Sequence, residues 1–410
     1  MNDWFAYKNY DELKAILDNG KWNSFDTLIF ITLSSSFFMW GVTLSIAPLI
    51  TTWYFVPAYM DIYIIASAPI GLLTGNLFLG FFSDKFGRKK IFLTTVILTV
   101  IGLLGISLLY NYYYILFFIF IAEFGLGGDE TVSLSFLSEY IPKKYRGFSL
   151  IESSSMANLG ITLMAGIFIL SGSSVGLDKL LLIVISVIGF VIALTTRLKL
   201  KESLRWEYLK EKGDNHKKIR MDKNEIYKFI SLSFLGIAII VGFAFSDLVL
   251  GPYEFPKYSD YIIFFSVLAE TLTGIIGGFY IGKSSRKAIA IIGFTGMFIP
   301  WIFVVLFLNL IVYNIYILII LLVISGVFGE FGWAAREMLE PENFITVYRG
   351  RGIGAVRSIG YVIYIFTVFS LANATIYEYG YYILAIYFIG FVGSVVYLFR
   401  GKETKNENIY

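Results

Sequence analysis

The stretch Gly80-Phe-Phe-Ser-Asp84-Lys85-Phe-Gly87-Arg88-Lys89-Lys90 lies between two long apolar runs and decides how this chain folds. A weaker copy, Gly278-Phe-Tyr-Ile-Gly282-Lys283-Ser-Ser-Arg286-Lys287, occurs near residue 280. Aligning Arg88 with Arg286 also aligns Gly80 with Gly278. Two apolar hairpins that both turn on a glycine and basic residues indicate a membrane protein built from a duplicated half, as secondary transporters are.

The composition is that of a membrane protein. Of the 410 residues, 57% are hydrophobic and only 15% are charged, which lies outside the range of ordinary soluble domains. Apolar runs of about 20 residues, the length that crosses a hydrocarbon core of ~30 Å, recur along the chain. Because each run must satisfy its backbone internally, we predict an all-α membrane protein with twelve transmembrane helices. The predicted spans are residues 27–50, 62–82, 90–109, 114–139, 150–171, 179–196, 229–251, 260–282, 287–308, 314–337, 352–375 and 379–399.

A charged segment divides these spans into two groups of six. We predict a tail over residues 1–26, an N-terminal six-helix bundle over 27–196, a linker over 197–228, a C-terminal six-helix bundle over 229–399 and a second tail over 400–410. The linker is too charged to enter the bilayer, but it can form a short amphipathic helix on the membrane surface. The first residues are polar and do not resemble a signal peptide, so we expect the first apolar run to be a true span.

Lys and Arg side chains are concentrated on one side of the predicted membrane. They occur in both tails, in the linker and in alternate loops, whereas the opposite loops contain only Lys179 and Lys257. This asymmetry predicts a protein of the cell (plasma) membrane with both termini in the cytoplasm. The net charge of +3 therefore reflects topology and gives no reason to expect a nucleic-acid partner. The chain has no Cys, and we expect neither a bound metal nor a cofactor.

Three loop motifs resemble those of the major facilitator superfamily. The stretch from Gly80 to Lys90 matches the loop signature G-x-x-x-D-[RK]-x-G-R-[RK]-[RK] at every marked position. Glu139–Gly147 resembles the family's E-x-x-P-x-x-x-R-G after helix 4. Glu202–Trp206 resembles the E-S-P-R-W of the sugar-porter and metabolite:proton symporter branches, with Leu204 where Pro is usual. The resemblance implies two pseudo-symmetric six-helix bundles that expose a central cavity to one side of the membrane at a time.

The resemblance also implies a cytoplasmic gate. In the family the acid of the first loop faces the N-terminus of helix 11, where the helix dipole and free N–H groups favour a carboxylate. Carried over, Asp84 would latch the two halves together in the outward-facing state. The second copy has Gly282 at this position, so the latch is expected to be asymmetric. The alternative is that these charges only keep the loops in water. The predicted gate residues are Gly80, Asp84, Gly87, Arg88, Glu139, Arg146, Glu202, Arg205 and Arg357.

Acidic side chains within the spans suggest the coupling mechanism, because each is costly in hydrocarbon and tends to face a cavity or a partner. The Glu123-Phe-Gly of the fourth span recurs as Glu330-Phe-Gly in the tenth, which predicts pseudo-symmetric positions facing the cavity. A carboxylate in a low-dielectric site can take a proton on one side of the membrane and release it on the other. The candidates for proton coupling or the substrate cavity are Glu123, Asp129, Glu130, Asp247, Glu270 and Glu330.

The alternative for each of these acids is an intramembrane ion pair. We expect few basic partners at the depth of Asp129 and Glu130, whereas Glu330 has Arg336 close by in the sequence. The segment that ends in Asp129 resembles one shared by phosphate:proton, metabolite:proton and organic-ion members of the superfamily. The first span has no acid, however, and Glu130 replaces an aromatic residue of the phosphate branch. We therefore do not assign phosphate.

The polar and aromatic residues narrow the substrate class slightly. Sugar recognition in this fold relies on Gln and Asn side chains, and this chain has no Gln and only two well-placed amides. Aromatic side chains that could form cavity walls suit a cation or an amphipathic metabolite, although they could equally pack or face lipid. A neutral or acidic metabolite carried with protons fits as well. The possible wall residues are Trp40, Asn76, Asn158, Phe243, Trp301 and Trp333.

We therefore favour a secondary transporter, most simply a proton-coupled uptake symporter for a small polar or charged metabolite. An organic ion or a phosphate-like solute fits better than a sugar. The alternatives are a drug or organic-cation:proton antiporter, a sugar porter and a non-transporting membrane sensor. We expect no enzyme, because no span or loop assembles a nucleophile, a base and a metal site. The expected partners are a small-molecule substrate, protons and the lipid bilayer, and we expect a monomer.

Overall fold

The apolar segments form long helices in the computed structural model, which describes residues 10–172, 174–211, 223–344, 346 and 349–407. The first half contains α1 (Tyr10–Asn19), α2 (Ser24–Leu49), α3 (Asp61–Phe86), α4 (Arg88–Leu108), α5 (Tyr112–Tyr140), α6 (Lys143–Ser171), α7 (Val175–Lys199) and, in the linker, α8 (Leu204–Glu211). The second half contains α9 (Lys223–Ile237), which continues as a π-helix over Ala238–Leu248, α10 (Leu250–Glu254), α11 (Ser259–Gly282), α12 (Arg286–Leu306), α13 (Leu308–Ile311), α14 (Ile315–Asn343), α15 (Arg349–Leu371) and α16 (Ile376–Arg400).

Eleven helical segments within the described residues are long and apolar enough to cross a membrane. They correspond to eleven of the predicted spans, and α5 occupies the position of the remaining one. This helix is 29 residues long and carries Glu123, Asp129, Glu130 and Glu139, all buried. Protein surrounds these carboxylates, so the part of α5 that carries them lies inside a bundle, whereas Tyr113, Tyr114 and Phe117 near its start are exposed. The part of the chain that the structure describes is thus all-α, with twelve transmembrane helices in two bundles of six.

The two halves use the same pattern of helix contacts. In the first half α5 packs against α3 and α4, α2 packs against α6, and α7 packs against α4. In the second half α14 packs against α11 and α12, α9 packs against α15, and α16 packs against α12. The halves meet chiefly where α6 contacts α11 and where α3 contacts α15. These two contacts are related by the same pseudo-symmetry, which is the arrangement that a duplicated half predicts.

Small residues let the helices approach closely. A Cβ atom added to Gly41 on α2 would overlap the carbonyl oxygen of Ala157 on α6, and one added to Gly127 on α5 would overlap the backbone of Leu72 on α3. Such close backbone contact is the usual basis of helix association in lipid. Gly127 therefore serves the packing of α5 against α3.

The turn between α3 and α4 depends on one glycine. Gly87 has a φ angle of +112°, a conformation that residues with a Cβ atom rarely adopt. It ends α3 and immediately precedes α4, and a side chain at this position would collide with the Glu202 carboxylate. The glycine of the loop signature thus allows the tight turn and the approach of Glu202.

The ends of the predicted domains differ in detail from the structure. Helix α7 continues to Lys199 and buries Arg197, which the sequence placed in the linker. A short helix, α8, lies in the predicted linker, residues 212–222 lie outside the described residues, and α9 already begins at Lys223. In the N-terminal tail, α1 occupies residues 10–19 and α2 begins at Ser24, where Asn23 and Asp26 form a reciprocal capping box.

A candidate transport site and its gate

A small cavity lies between the two halves, bounded by α2, α5, α6 and α14. Its volume is about 10 Å³, which is room for roughly one water molecule. The halves meet on both sides of it. Asp84 meets α15 at the end of the molecule that carries α1 and α8, here called the linker end. Tyr63 and Phe369 meet at the far end, with ring centroids 6.4 Å apart. The lining residues are Phe37, Trp40, Glu130, Ser154, Ala157, Asn158, Glu330, Trp333 and Glu337.

A larger cavity of about 450 Å³ lies between α2, α6 and α7. All three helices belong to the first half, so this cavity does not lie at the interface that transport would open. Its lining is almost entirely apolar and includes Ile31 and Ile188, which are 48% and 55% exposed. This composition fits contact with lipid acyl chains. The cavity between the halves is therefore the candidate transport site.

Glu330 on α14 joins the two halves at this site. Ser155 and Asn158 on α6 donate hydrogen bonds to its carboxylate, at 2.6 and 2.9 Å. Glu330 is 1% exposed, and no basic side chain in the described part of the chain lies within ion-pair distance of it. The predicted alternative, an ion pair with Arg336, does not form. A buried carboxylate held only by neutral donors is costly to ionise, so its charge is sensitive to its surroundings.

Two further acids of the second half also lack a basic partner among the described residues. Glu270 on α11 contacts Asn158, and its second carboxylate oxygen has no hydrogen-bond partner. Asp247, in the π-helix, accepts a hydrogen bond from Ser246, whose hydroxyl also meets Tyr387 at 2.8 Å. Neither acid lines the small cavity. Together with Glu330 they nevertheless form a connected group of carboxylates, because Glu270 interacts electrostatically with both of the others.

Glu123 occupies a different environment from Glu330. It is 1% exposed, and neither of its carboxylate oxygens has a hydrogen-bond partner in the described residues. Its Cβ atom lies against Gly71 on α3, and it does not line the cavity. The equivalence of Glu123 and Glu330 that the repeated Glu-Phe-Gly predicts therefore does not extend to their contacts.

Asp129 is paired with a base, contrary to the expectation from the sequence. Arg197 on α7 approaches its carboxylate at 2.7 Å, and Thr95 on α4 donates a hydrogen bond of 2.5 Å. Arg197 also bonds Ser36 at 2.7 Å and stacks over the ring of Phe92. The expectation was wrong because Arg197, at the end of a span, extends its side chain back into the bundle instead of towards water.

Glu130 is part of an ion-pair network that crosses between the halves. Arg336 on α14 lies 3.1 Å from its carboxylate, Arg357 on α15 is also paired with it, and Tyr361 donates a hydrogen bond of 3.2 Å. Both arginines also bind Glu337, and Arg357 binds Glu340 at 2.6 Å. The expectation of few basic partners was wrong here too. Arg357, predicted as a gate residue, belongs to this network beside the cavity.

The possible wall residues lie in four different places. Trp40, Asn158 and Trp333 line the cavity. The ring of Phe243 packs edge-on against that of Trp333 at 5.5 Å and supports it from behind. Asn76 lies at the crossing of α3 and α5, where its side chain bonds Thr131 and Leu72. Trp301 lies elsewhere in the second half, beside α13 and α16.

The predicted gate residues of the loop signature meet at the linker end. Asp84 accepts a hydrogen bond of 3.0 Å from the backbone N–H of Arg351, in the first turn of α15. This is the contact that the resemblance implied. Arg88 pairs with Asp84 at 2.5 Å and with Glu139 at 3.2 Å, and Arg349 of the second half pairs with Glu139 at 2.8 Å. Gly80 lies against the carbonyl of Gly350, so α3 and α15 are in close contact here.

The remaining predicted gate residues brace the first half. The carboxylate of Glu202 accepts hydrogen bonds from the backbone N–H groups of Arg88 and Lys89, at 2.9 and 3.2 Å, at the start of α4. Burial raises the pKa of Glu202, although these N–H groups oppose the shift. Arg205 donates to the carbonyl of Glu139 at 2.8 Å.

The second half contains a counterpart of these carboxylate contacts, which was not predicted from the sequence. Glu403 in the C-terminal tail accepts a hydrogen bond of 3.1 Å from the N–H of Arg286, at the start of α12. Thr404 bonds Glu342, just as Ser203 bonds Glu139, each at 2.5 Å. The Glu403-Thr404 pair repeats Glu202-Ser203 in the sequence, which is the signal that could have revealed it.

The N-terminal tail also reaches the gate. Asp18 at the end of α1 binds Arg146 at 2.6 Å and Arg205 at 2.8 Å, and it is 1% exposed. Both arginines were predicted as gate residues, but their shared partner was not. The tail carries no motif, so only the need of two buried arginines for a carboxylate could have pointed to it.

Comparisons with known proteins place the chain among transporters. A family model described as "Sugar (and other) transporter" matches residues 21–226, just over half of the chain. Low affinity inorganic phosphate transporter 5 of Petunia hybrida is 35% identical over 130 residues, which cover 30% of this chain and 24% of that protein. The niacin transporter NiaP of Acinetobacter baylyi is 34% identical over 112 residues, 27% of this chain and 25% of that protein. The chain thus spans about a quarter of the length of these relatives.

Solved structures show the same fold. The proton:xylose symporter XylE of the major facilitator superfamily, bound to 6-bromo-6-deoxy-D-glucose, superposes with a TM-score of 0.74 at 14% identity, covering 94% of this chain and 98% of that one. A partially occluded inward open conformation of XylE from E. coli gives a TM-score of 0.70 at 14% identity, with coverages of 93% and 99%. With its match to the family model over just over half of the chain, this chain belongs to the sugar (and other) transporter family, and it has the fold of the major facilitator superfamily symporter XylE.

Proposed function

We propose that this protein is a proton-coupled uptake transporter of a small polar or charged metabolite, an organic ion or a phosphate-like solute rather than a sugar, working by alternating access. The observation that carries the proposal is Glu330. This carboxylate lines the cavity between the halves, has no basic partner among the described residues and is held by side chains of the opposite half.

The environment of Glu330 supports proton coupling on physical grounds. When the halves close around the cavity, an ionised Glu330 is buried without a counter-charge, whereas a protonated one is neutral. Closure therefore favours the protonated form, and opening towards a more alkaline compartment favours release of the proton. Glu270 and Asp247 extend this group into the second half. Asp129 and Glu130 already have arginine partners and are weaker candidates for the coupling proton.

The gate contacts support the alternating part of the mechanism. Asp84 and Glu139 of the first half bind α15 residues of the second at the linker end. Because Lys and Arg are in excess at this end, we propose that it and both termini face the cytoplasm and that the protein lies in the plasma membrane. We propose a monomer, with the two bundles, divided by the linker, as the moving bodies.

The proposed substrate class is supported by a residue type that the sequence lacks and by the names of its relatives. The chain contains no Gln for sugar hydroxyls, and the cavity wall combines acids with aromatic rings. Among the relatives, two are named for inorganic phosphate and niacin, neither of which is a sugar. An acidic solute imported with protons fits the lack of Gln and the names of these relatives, and two of the acids on the wall, Glu130 and Glu337, are already paired with Arg336.

Proton movement into liposomes tests this function. Purified protein is reconstituted with a pH-sensitive dye inside, and phosphate, nicotinate, xylose or benzylamine is added outside in turn, with protein-free liposomes as the blank. We expect nicotinate or phosphate to drive acidification, and Glu330→Gln to abolish it while exchange of labelled solute continues. Glu211→Gln, on the surface of α8, is the matched control. Full proton uptake by Glu330→Gln, or alkalinisation driven by benzylamine, would refute the proposal.

A further inference from the structure

We infer that the cavity between the halves binds a flat aromatic carboxylate. The inference deepens the proposed function and rests on it, because it takes this cavity to be the transport site. It concerns what the cavity wall offers a ligand: three aromatic rings, and hydrogen-bond donors that have no acceptor in the part of the chain that the structure describes.

The apolar part of the wall consists of ring faces and edges. Phe37 and Trp40 on α2 face Trp333 on α14 across the boundary between the halves. The centroids of the two indoles are 6.0 Å apart and their planes are nearly perpendicular, at 80°. Aromatic side chains in this arrangement offer both a face and an edge to a third ring. A flat ring therefore meets better-matched surfaces here than a puckered one does.

The carboxylate oxygens in the polar part of the wall already have hydrogen-bond or ion-pair partners. Glu130 and Glu337 are bound by arginines, and both oxygens of Glu330 receive hydrogen bonds from α6. A ligand that brings only donors, such as an organic amine, would have to displace one of these contacts. The carboxylates on this wall are therefore already committed to protein donors.

Several N–H groups at the wall, by contrast, have no hydrogen-bond acceptor among the described residues. The indole N–H groups of Trp40 and Trp333 and Nη1 of Arg336 have no hydrogen-bond acceptor in the described residues, and Nε of Arg336 has only a distant ion-pair partner, Glu340, at 3.9 Å. Arg336 lies directly behind the wall, with its guanidinium 4.3 Å from the ring centre of Trp333. Buried donors without acceptors are costly, so the wall favours a ligand that carries acceptor oxygens.

An aromatic carboxylate supplies both the flat ring that the aromatic wall favours and the acceptor oxygens that the N–H groups lack. Its ring packs between the indoles, and its two oxygens accept from the free N–H groups. Inorganic phosphate offers oxygens but no ring, and an amine offers a ring without an acceptor. A monocarboxylate that travels with one proton is also electroneutral, which fits the uncompensated Glu330. In the closed state the cavity holds only about 10 Å³, so the ring enters when the halves separate.

Equilibrium binding to the purified full-length protein tests the inference without any pH gradient. Thermal shift and calorimetric titration would compare benzoate and nicotinate with cyclohexanecarboxylate, benzylamine and phosphate. We expect the two aromatic acids to bind about tenfold more tightly than the non-aromatic acid, and benzylamine and phosphate to bind more weakly still. Tighter binding of benzylamine or phosphate, or no binding of either aromatic acid, would overturn the inference.

Removal of single N–H groups gives a second readout. Trp40→Phe and Trp333→Phe keep a ring but lose the donor, so each should weaken benzoate binding about tenfold, as expected for a hydrogen bond to a charged group. Trp301→Phe is the matched control, because its buried indole N–H also lacks a partner but lies away from the cavity. Equal effects of all three substitutions, or no effect of any, would contradict the inference. The wild-type preference for aromatic acids decides the matter if a variant does not fold.

The two proposals fail separately. If benzoate binds as expected but drives no proton movement, the inferred binding site is supported and the proposed proton coupling is refuted. If phosphate drives proton uptake through Glu330 while no aromatic acid binds, the proposed proton coupling is supported and the inferred aromatic site is refuted.

Discussion

Glu330 on α14 accepts a hydrogen bond of 2.9 Å from the side-chain amide of Asn158 on α6, so a carboxylate of one half is held by a donor of the other. Asn158 also contacts Glu270. One neutral side chain thus stabilises the ionised forms of two acids that have no basic partner among the described residues. Relative movement of the halves would break this contact and change the proton affinity of both acids together.

Replacement of this amide should alter the pH dependence of transport. Asn158→Leu removes the donor, so the ionised form of Glu330 becomes less stable and the protonated form persists to higher pH. We expect the midpoint of solute-driven proton uptake to move upward by about one pH unit. Liposome assays over a range of external pH measure this shift. Asn309→Leu, an exposed amide outside the site, is the control, and identical profiles for wild type and Asn158→Leu would contradict the prediction.

Neutralisation of Asp84 should open the linker end. Asp84→Asn weakens the contact with the N–H of Arg351 and the pair with Arg88, so we expect the open population to rise about tenfold. The chain has no Cys, so spin labels can be placed cleanly at Lys90→Cys and Lys283→Cys in the two halves. Electron–electron distances should lengthen in Asp84→Asn but not in Glu211→Gln. An unchanged distance distribution would count against the latch.

Loss of Asp18 should destabilise the protein through two arginines. Asp18→Asn leaves Arg146 and Arg205 buried with one fewer carboxylate, and breaking a buried pair in this way costs about 3 kcal/mol. We expect a lower unfolding temperature in detergent. Asn19→Ala, which removes only a local bond to Ala15, is the matched control. If the two variants unfold at the same temperature, Asp18 does not stabilise the gate.

Glu403 should contribute stability that depends on pH. Burial alone would raise the pKa of this carboxyl, but hydrogen bonds from Ser285 and from backbone N–H groups outweigh burial, and its pKa is lowered below the ordinary 4.5. A group with a lowered folded-state pKa stabilises the protein above its unfolded pKa, and the stabilisation is lost as the pH falls through the folded value. Glu403→Gln should therefore be less stable than wild type at neutral pH, by on the order of 1 kcal/mol.

The difference between Glu403→Gln and wild type should vanish in acid. Thermal unfolding of both proteins between neutral pH and about pH 3 measures it, since this range spans the usual pKa of glutamate. Glu407→Gln, whose exposed pair with Lys402 is worth little, should follow wild type throughout. A difference that stays constant with pH would show that the charge of Glu403 is not the cause.

A single methyl group should test the packing between α2 and α6. Gly41→Ala places a Cβ atom on the carbonyl of Ala157, whereas Gly176→Ala meets nothing within 4 Å. We expect Gly41→Ala to lower stability by about 1–3 kcal/mol through overpacking and Gly176→Ala to have little effect. Unfolding temperatures of the two variants measure this. Equal stability would mean that the helices move apart without cost.

The fold could be predicted from the sequence because the lipid environment leaves few choices. Apolar runs of span length, glycines at tight turns and the side on which Lys and Arg occur all act locally along the chain. The contact of Asp84 with α15 could be anticipated because the loop signature specifies it residue by residue. The 11-residue π-helix that carries Asp247 could not, because one turn of apolar residues looks the same in either helix type.

The partners of the buried charges were harder to predict. An arginine side chain is long enough to reach across a bundle, so Arg197 pairs with Asp129 from the end of a neighbouring helix. The sequence placed Arg197 in the linker, just beyond the sixth predicted span, and did not indicate that its side chain points back into the bundle. Asp18 and Glu403 lie in tails that composition alone describes as solvated. In each case the partner is fixed by tertiary packing, which a single sequence does not reveal.

Most charged contacts at the linker end lie within one half, as Glu202 does on α4 and Glu403 on α12. Few of them cross the boundary, among them Asp84 with Arg351 and Glu139 with Arg349. At the linker end each half therefore holds most of its own charged side chains, and few contacts would break there if the halves separated. Substitutions in these few cross-half contacts should change the balance between the open and closed forms without destabilising either half. That balance and the stability of the protein can therefore evolve separately.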